Sequence, residues 1–358
     1  MGVNRFKSFA IVALSLILVL FVNVSHASEA GKSDKFEPGA TILHHIADAH
    51  SFHFFDLKDK SGATIFSANI PLPVILYSPQ KGLDVFMSSK FHHGEADYKG
   101  YKLEHEKVVP LEPGVKVYDF SITKNVAQMM LASLVLIWLL TSMVRSYKKG
   151  QGVTSAPKGW QNALEPVITF IRDDIAKPSL GPKYQRYFPY LLTLFFFILI
   201  NNLFGLLPGA ANVSGNIAFT AMLGIVSFFV ILFSTNKHYW QHIFWFPGVP
   251  LPVKLIMLPV ELLGVFTKPF ALIVRLFANM TAVHIIILSF ISLIFIFGEM
   301  NTGAGWAFSP ISIAFSVFIY LIEILVAFIQ AYIFTALTAV FISGAIGDHH
   351  YDEDIITH

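Results

Sequence analysis

Five apolar runs separated by short polar or turn segments organise the chain from residue 126 onward. They cover residues 126–144, 187–207, 216–234, 251–297 and 306–341. The first three have the length of roughly 20 residues that crosses a bilayer core of ~30 Å as one helix. The fourth does not fit that frame. At ~1.5 Å per residue a straight helix over 251–297 runs to roughly 70 Å, about twice the core. An ordinary tilt of about 20° does not absorb this length. The pattern therefore predicts two long helices, 251–297 and 306–341, steeply tilted, bent or broken and joined by a short outside turn. Residues 157–177 carry a modest apolar face but too many charges to span, and predict a helix lying on the cytoplasmic surface. Arg145, Lys148 and Lys149 come after the first run, Lys183 and Arg186 precede the second, and Lys237 comes after the third. Such one-sided basic residues mark the cytoplasmic face.

Upstream of these runs the pattern changes. Residues 28–120 hold no spanning stretch, and short alternating segments such as 63–66 and 74–77 sit between Gly and Pro signals. That is the pattern of a small β-rich domain. Ahead of it, Arg5 and Lys7 precede an apolar stretch over 9–24, and Ser25-His26-Ala27 is a small-x-small site. Residues 1–27 read as a signal peptide, with an uncleaved anchor as the rival; either one exports residues 28–120. The short apolar stretch and the well-formed site favour cleavage. The expected organisation is a leader (1–27), a periplasmic domain (28–120), a membrane domain (121–348) and a cytoplasmic tail (349–358). The fold class is an all-α polytopic membrane protein with about five spanning or steeply tilted helices, a surface helix and the small exported β-rich domain.

Composition agrees and narrows the chemistry. Hydrophobic residues make up 54% of the chain and Asp, Glu, Lys and Arg only 13%, as several spans require. A formal net charge of +2 is too small to suggest nucleic acid. The absence of cysteine excludes disulfide, thiolate and Cys-ligated metal chemistry. His44, His45, His50, His53, His92, His93 and His105 suit a solvated His-rich surface better than a metal site, because no tight pair flanks an acid. No metal or other cofactor is expected.

Candidate chemistry lies inside the long runs. Arg275 stands mid-run in a segment with one histidine and no acid, 269–297. An arginine at bilayer depth costs at least about 2.5–3.5 kcal/mol on insertion scales, and it cannot escape by losing its proton. It should face a cavity or a partner carboxylate. Glu261, Lys268 and Arg275 are spaced by sevens and form one slowly drifting stripe on a helix, with Asn279 a turn beyond Arg275. His284 is nine residues past Arg275 and points about 180° away. Glu323 is the sole acid of the next long run, with Tyr320 one turn before it and Gln330 seven beyond. His284 and Glu323 are the obvious pair, and both can load and unload protons. Plainer readings stand beside these. Glu261 and Lys268 also suit snorkelling or pairing near the surface. Asn279 and Gln330 also suit interhelical hydrogen bonding, and His284 a satisfied core histidine. Asn201 and Asn202 suit backbone pairing at a helix end better than ion transfer.

At these residues the chain resembles the a subunits of the F-type ATP synthases. The likeness covers roughly 186–345 and is carried by NNLFGLLPGAANVSGNIA, VELLGVFTKPFALIVRLFANM and IEILVAFIQAYIFTALTAVFIS. Ala278 replaces the glycine of the family's usual RLFGNM. Many bacterial members carry Glu at the position of His284 and His at that of Glu323; here the two are exchanged. The resemblance implies a non-catalytic stator subunit of the bacterial inner membrane, working with a rotating c-ring, subunit b and the other synthase subunits. It implies that Arg275 faces the c-ring between two offset half-channels. His284, Glu323, Asn279 and Gln330 would line the periplasmic one, and Glu261 and Lys268 the cytoplasmic one. A His–Glu pair leans toward protons over Na⁺. No GxxxxGK[ST] loop occurs, so nucleotide chemistry belongs to other subunits. The alternatives are a stand-alone secondary transporter, which often shows internal repeats absent here, and an anchored receptor in which Arg275 and Glu323 are dispensable for ion movement.

Overall fold

The computed structural model describes residues 47–346, apart from 59–63, 95, 105, 113, 153–154, 157–158, 208 and 245–250, together with positions 39 and 42. The expected leader, 1–27, and the tail, 349–358, lie outside the described residues. Among the described residues seven strands precede the long helices: β1 Ser51–Lys58, β2 Thr64–Pro71, β3 Pro73–Ser78, β4 Gly82–Met87, β5 Tyr101–Glu104, β6 Lys107–Pro110 and β7 Tyr118–Asp119. β1 and β2 pair with each other, and residues 53–70 form a unit of their own. In the other unit β3 is the centre of a three-stranded sheet ordered β4-β3-β7, and β5 pairs with β6. Alternation does the sorting that period two requires. Val74 and Leu76 point to one face and are buried with Phe86, Phe91 and Tyr101.

The first helix, α1 Lys124–Lys148, begins soon after β7. Its N-cap residue, Thr123, makes no side-chain cap bond. The orphan N–H groups of the first turn are met from far away in sequence instead. Lys124 N–H donates to the Ala49 carbonyl at 2.9 Å, and Asn125 N–H to Asp48 Oδ1 at 3.2 Å. An acid at this end also suits the helix dipole. Beside it, His50 Nε2 lies 3.1 Å from Asp119 Oδ2, which ties this segment to β7.

The remaining helices are α2 Trp160–Phe170, α3 Tyr184–Gly205, α4 Ile217–Phe233, α5 Lys237–Phe244, α6 Leu251–Met300 and α7 Thr302–Ile346. α2 runs on through a π-helical turn, Ile171–Ala176, and a last turn, Lys177–Leu180. The expected surface helix therefore does more than lie on the membrane. Ile171, Ile175, Ala176 and Leu180 are buried in the central core, so its inner face belongs to the bundle. It is separated from α3 by one 3-10 turn, Gly181–Lys183, that opens at Gly181, whose φ of 52° is one that glycine adopts without steric cost.

The core joins Leu136 of α1, Leu191, Phe195 and Ile198 of α3, Leu272, Leu276 and Met280 of α6 and Phe334 and Ile342 of α7. Among the described residues four helical segments are long and apolar enough to cross a membrane, with Ile217–Phe233 as a shorter apolar helix. The chain is a multi-pass membrane protein. α6 and α7, of 50 and 45 residues, are the two long helices that the pattern predicts. They form one antiparallel hairpin turning at Asn301. Phe297 stacks on Phe308 with centroids 3.9 Å apart, and Phe290 on Phe315 at 5.4 Å.

The close approach at the hairpin end and the His50–Asp119 contact can each be tested. A Cβ on Gly305 would stand 2.8 Å from the Gly298 Cα and 3.1 Å from its nitrogen, whereas one on Gly298 meets nothing within 4 Å. Gly305→Val should destabilise by about 1–3 kcal/mol and lower the thermal midpoint, while Gly298→Ala should not. Equal midpoints would mean that the hairpin end is not closely packed. For His50, burial pushes the pKa down, but the Asp119 hydrogen bond and charge and the Glu106 carbonyl outweigh burial and raise it above 6.5. For Asp119, burial pushes up, and the hydrogen bonds from His50 and Ser121 outweigh it and lower it below 3.8. The pair's stabilisation is thus complete between these values. It is lost as pH rises through the raised His50 value or falls through the lowered Asp119 value. Amide-exchange protection of residues 73–87 should weaken as pH rises past neutrality, after correction for intrinsic exchange, and His50→Gln should flatten that trend. Parallel profiles in the two proteins would remove the pair from the account.

Candidate functional site

α3 ends at Gly205, and the last carbonyls of any helix lack intrahelical partners. Gly205 and Leu206 are buried, so these carbonyls must find partners within the protein. Two side chains of the α6–α7 hairpin supply the missing donors. His284 Nε2 lies 3.1 Å from the Gly205 carbonyl, and the Tyr320 hydroxyl donates to the Leu206 carbonyl at 2.5 Å. On its other side the His284 ring meets two more oxygens. Nδ1 is 2.9 Å from the Met280 carbonyl of its own helix and 3.0 Å from Glu323 Oε1 on α7. Both ring nitrogens therefore face acceptors. The doubly protonated ring satisfies both sides, whereas a neutral ring leaves one side unpaired.

Glu323 is 1% exposed. No aligned hydrogen bond reaches its Oε1 from the described residues, although Nδ1 is at ion-pair distance. The better-aligned partner of Nδ1 is the Met280 carbonyl, so the carboxylate is held in contact with the ring and keeps an open lone pair. A proton can pass between the two groups with little movement. The pairing expected from sequence is thus present in space.

The loop between α3 and α4 completes the surroundings. Asn202 Nδ2 donates to the Ala327 carbonyl of α7 at 3.2 Å, and its Oδ1 accepts from Ser214 Oγ at 2.5 Å. Asn212 Nδ2 donates to the Met280 carbonyl at 3.3 Å, and its Oδ1 accepts from the Gly215 N–H at 2.9 Å. Thr281 Oγ1 donates to the Gly215 carbonyl at 3.4 Å. Asn201 donates to the Phe197 carbonyl of its own helix at 2.8 Å. The two asparagines of α3 do satisfy backbone, as their position suggested. Sequence reasoning missed Asn212, Ser214 and Thr281. The available signal was a polar run, 212–216, set between apolar spans.

Arg275 lies elsewhere. α6 buries Leu272, Leu276 and Met280, and Arg275 is exposed on another face of the helix. Among the described residues it has no ion-pair partner. Lys268, also exposed, has its Nζ 5.6 Å from the Phe341 ring centroid. Glu261 and Asn279 are half-buried. Gln330 is 5% exposed, two turns along α7 from Glu323. The structure thus brings together His284, Glu323 and Tyr320. It leaves Arg275 and Lys268 on the outer surface of the chain, and Arg275 and His284 point to different faces, as their spacing requires.

The family model for the ATP synthase A chain covers residues 126–343. A domain of unknown function matches residues 41–129. The ATP synthase subunit a of Chloroherpeton thalassium is 46% identical over 243 residues, which is 66% of this chain and 70% of that protein. An ATP synthase subunit a 2 of Chlorobium luteolum is 37% identical over 326 residues, 90% of this chain and 79% of that protein. The ATP synthase subunit a of Anaeromyxobacter sp. is 38% identical over 337 residues, 91% and 74%. The last two alignments extend well beyond the membrane region. The match over 126–343 takes in every helix that carries Arg275, His284 and Glu323, and the chain belongs to the ATP synthase A chain family, that of ATP synthase subunit a.

Proposed function

We propose that this chain is the proton-channel stator of an F-type ATP synthase, a non-catalytic subunit of the bacterial inner membrane. It offers two offset half-channels to a rotating c-ring and couples proton passage to ATP synthesis. One observation carries the reading: Arg275 is exposed on an apolar helix with no acid of the described chain to pair with. A permanent charge at that depth needs a partner, and the partner must come from outside this chain. A carboxylate arriving on a neighbouring rotor meets the requirement. Arg275 draws each carboxylate in its charged form, favours release of its proton, and bars direct leakage between the two half-channels. His284 and Glu323, with Asn279 and Gln330, form the periplasmic path. Glu261 and Lys268 stand on the cytoplasmic path. Subunit b and other synthase subunits hold the stator in place. The N-terminal domain is periplasmic and the C-terminus cytoplasmic.

Coupling to protons rather than Na⁺ is supported by the His284–Glu323 contact, since imidazole carries a proton and has no use as a sodium ligand when protonated. The exchange of acid and imidazole relative to many bacterial relatives is tolerable because either order leaves one donor facing one acceptor.

Two expected outcomes test this. In inverted membrane vesicles, Arg275→Ala should abolish ATP-driven acidification while the complex still assembles. Normal pumping would make the arginine structural and remove the proposed mechanism. For the pair, His284→Glu alone should slow pumping, because two acids then meet in a buried site. Adding Glu323→His should restore part of the rate. A double variant no better than the single one would show that the two residues do not share a proton.

A further inference from the structure

Gln128 is a buried amide on α1 that the proton path just described does not use. It is 4% exposed and sits in the first apolar run, where a leucine would cross the membrane at lower cost. Both ends of its amide are engaged by a single residue's backbone. Nε2 donates to the Ala211 carbonyl at 2.6 Å, and the Ala211 N–H donates to Oε1 at 2.8 Å. Ala211 is fully buried, so without this clamp its N–H and C=O would lose these partners where water does not compete. Two hydrogen bonds to one residue also fix its position and orientation, which a single bond does not.

The clamped segment packs against the residue that supplies one carbonyl of the His284 cradle and bonds to the other carbonyl: a Cβ on Gly205 would stand 3.6 Å from the Ala211 carbonyl oxygen and 3.8 Å from the Asn212 Cα. Before it, the chain supplies the Gly205 carbonyl to Nε2. After it, Asn212 donates to the Met280 carbonyl, and that same carbonyl contacts Nδ1. A shift of residues 211–212 would therefore disturb the packing on Gly205, whose carbonyl meets Nε2, and the Asn212 bond to the Met280 carbonyl, which meets Nδ1. We propose that Gln128 is a positioning residue for proton transfer at His284: it clamps Ala211, and through it sets the carbonyl cradle that holds the imidazole against Glu323. This rests on the reading of His284 and Glu323 as proton carriers.

The test uses Gln128→Leu and Gln128→Glu in the whole synthase, assayed in inverted vesicles. Leu removes both bonds, and Glu sets a carboxylate oxygen against the Ala211 carbonyl. Four quantities are read: complex content, ATP hydrolysis, pumping per complex, and the dependence of pumping on the pH of the vesicle interior. With assembly and hydrolysis retained, pumping should fall about fivefold to thirtyfold, as loss of one to two hydrogen bonds implies. The pH profile should move by roughly half a unit or more. An unchanged rate overturns the inference. So does reduced complex content with an unchanged rate per complex and an unchanged profile, which is what a purely structural clamp gives. Should Gln128→Leu not assemble, Gln128→Glu decides; failure of both to assemble also assigns the residue to structure alone. Arg275→Ala run alongside separates the two readings. If Arg275→Ala pumps normally, the stator mechanism falls. If it is inactive and both Gln128 variants match wild type, only the positioning role falls.

Discussion

A bilayer core offers no hydrogen-bond partner, so every polar group placed at that depth must find one within protein. This constraint accounts for most of what surrounds the α3 terminus. The helix stops at the buried Gly205 and leaves carbonyls that need partners within the protein. His284 and Tyr320 reach them from the α6–α7 hairpin. The loop after Gly205 pairs with Gln128 and Met280, and Asn202 at the helix end pairs with Ala327. The same groups that close a helix end thereby orient an imidazole and bring it against a buried acid.

The hairpin of α6 and α7 separates two electrostatic tasks by helical phase. Nine residues divide Arg275 from His284, which is about two and a half turns. One helix can therefore present a permanent cation to its outer surface and a titratable ring to its inner one. A permanent charge and a mobile proton on the same face would interfere, because the cation would disfavour the imidazolium beside it. Length matters for the same reason. Residues spaced over several turns of an unbroken 50-residue helix hold fixed relative angles, which a flexible connection would not give.

Much of this was legible in the sequence, and the reasons differ by feature. The spans were visible because lipid demands continuous apolar runs, and the two long helices because the runs exceeded one crossing. The division of Arg275 and His284 onto opposite faces came from periodicity alone. The approach of His284 to Glu323 was inferred because each is the lone complementary group of its run. The burial of Ile171, Ile175 and Leu180 was not legible, since charges at Arg172, Asp173 and Asp174 masked an inner face that only tertiary packing reveals. The roles of Gln128 and Asn212 were also out of reach. Each is defined by a backbone group remote in sequence, and backbone partners leave no residue signature. The start of α1 shows the same limit: a local reading assigns the cap to Thr123, yet Asp48 and Ala49 meet the first N–H groups.

The contact of His284 on α6 with Glu323 on α7 shows what the site does and does not specify. The contact needs one group that gives a proton and one that takes it, across a fixed gap between two helices. Which helix carries which group is free so far as the pair alone is concerned. The surroundings bias that choice. With the imidazole on α6, Nε2 can meet the Gly205 carbonyl while Nδ1 meets Glu323. A carboxylate at position 284 would set its oxygens against the carbonyls of Gly205 and Met280, and acceptor would face acceptor unless it held a proton. The carbonyl cradle of this chain therefore suits a histidine at 284, and suits a glutamate there only in its protonated form.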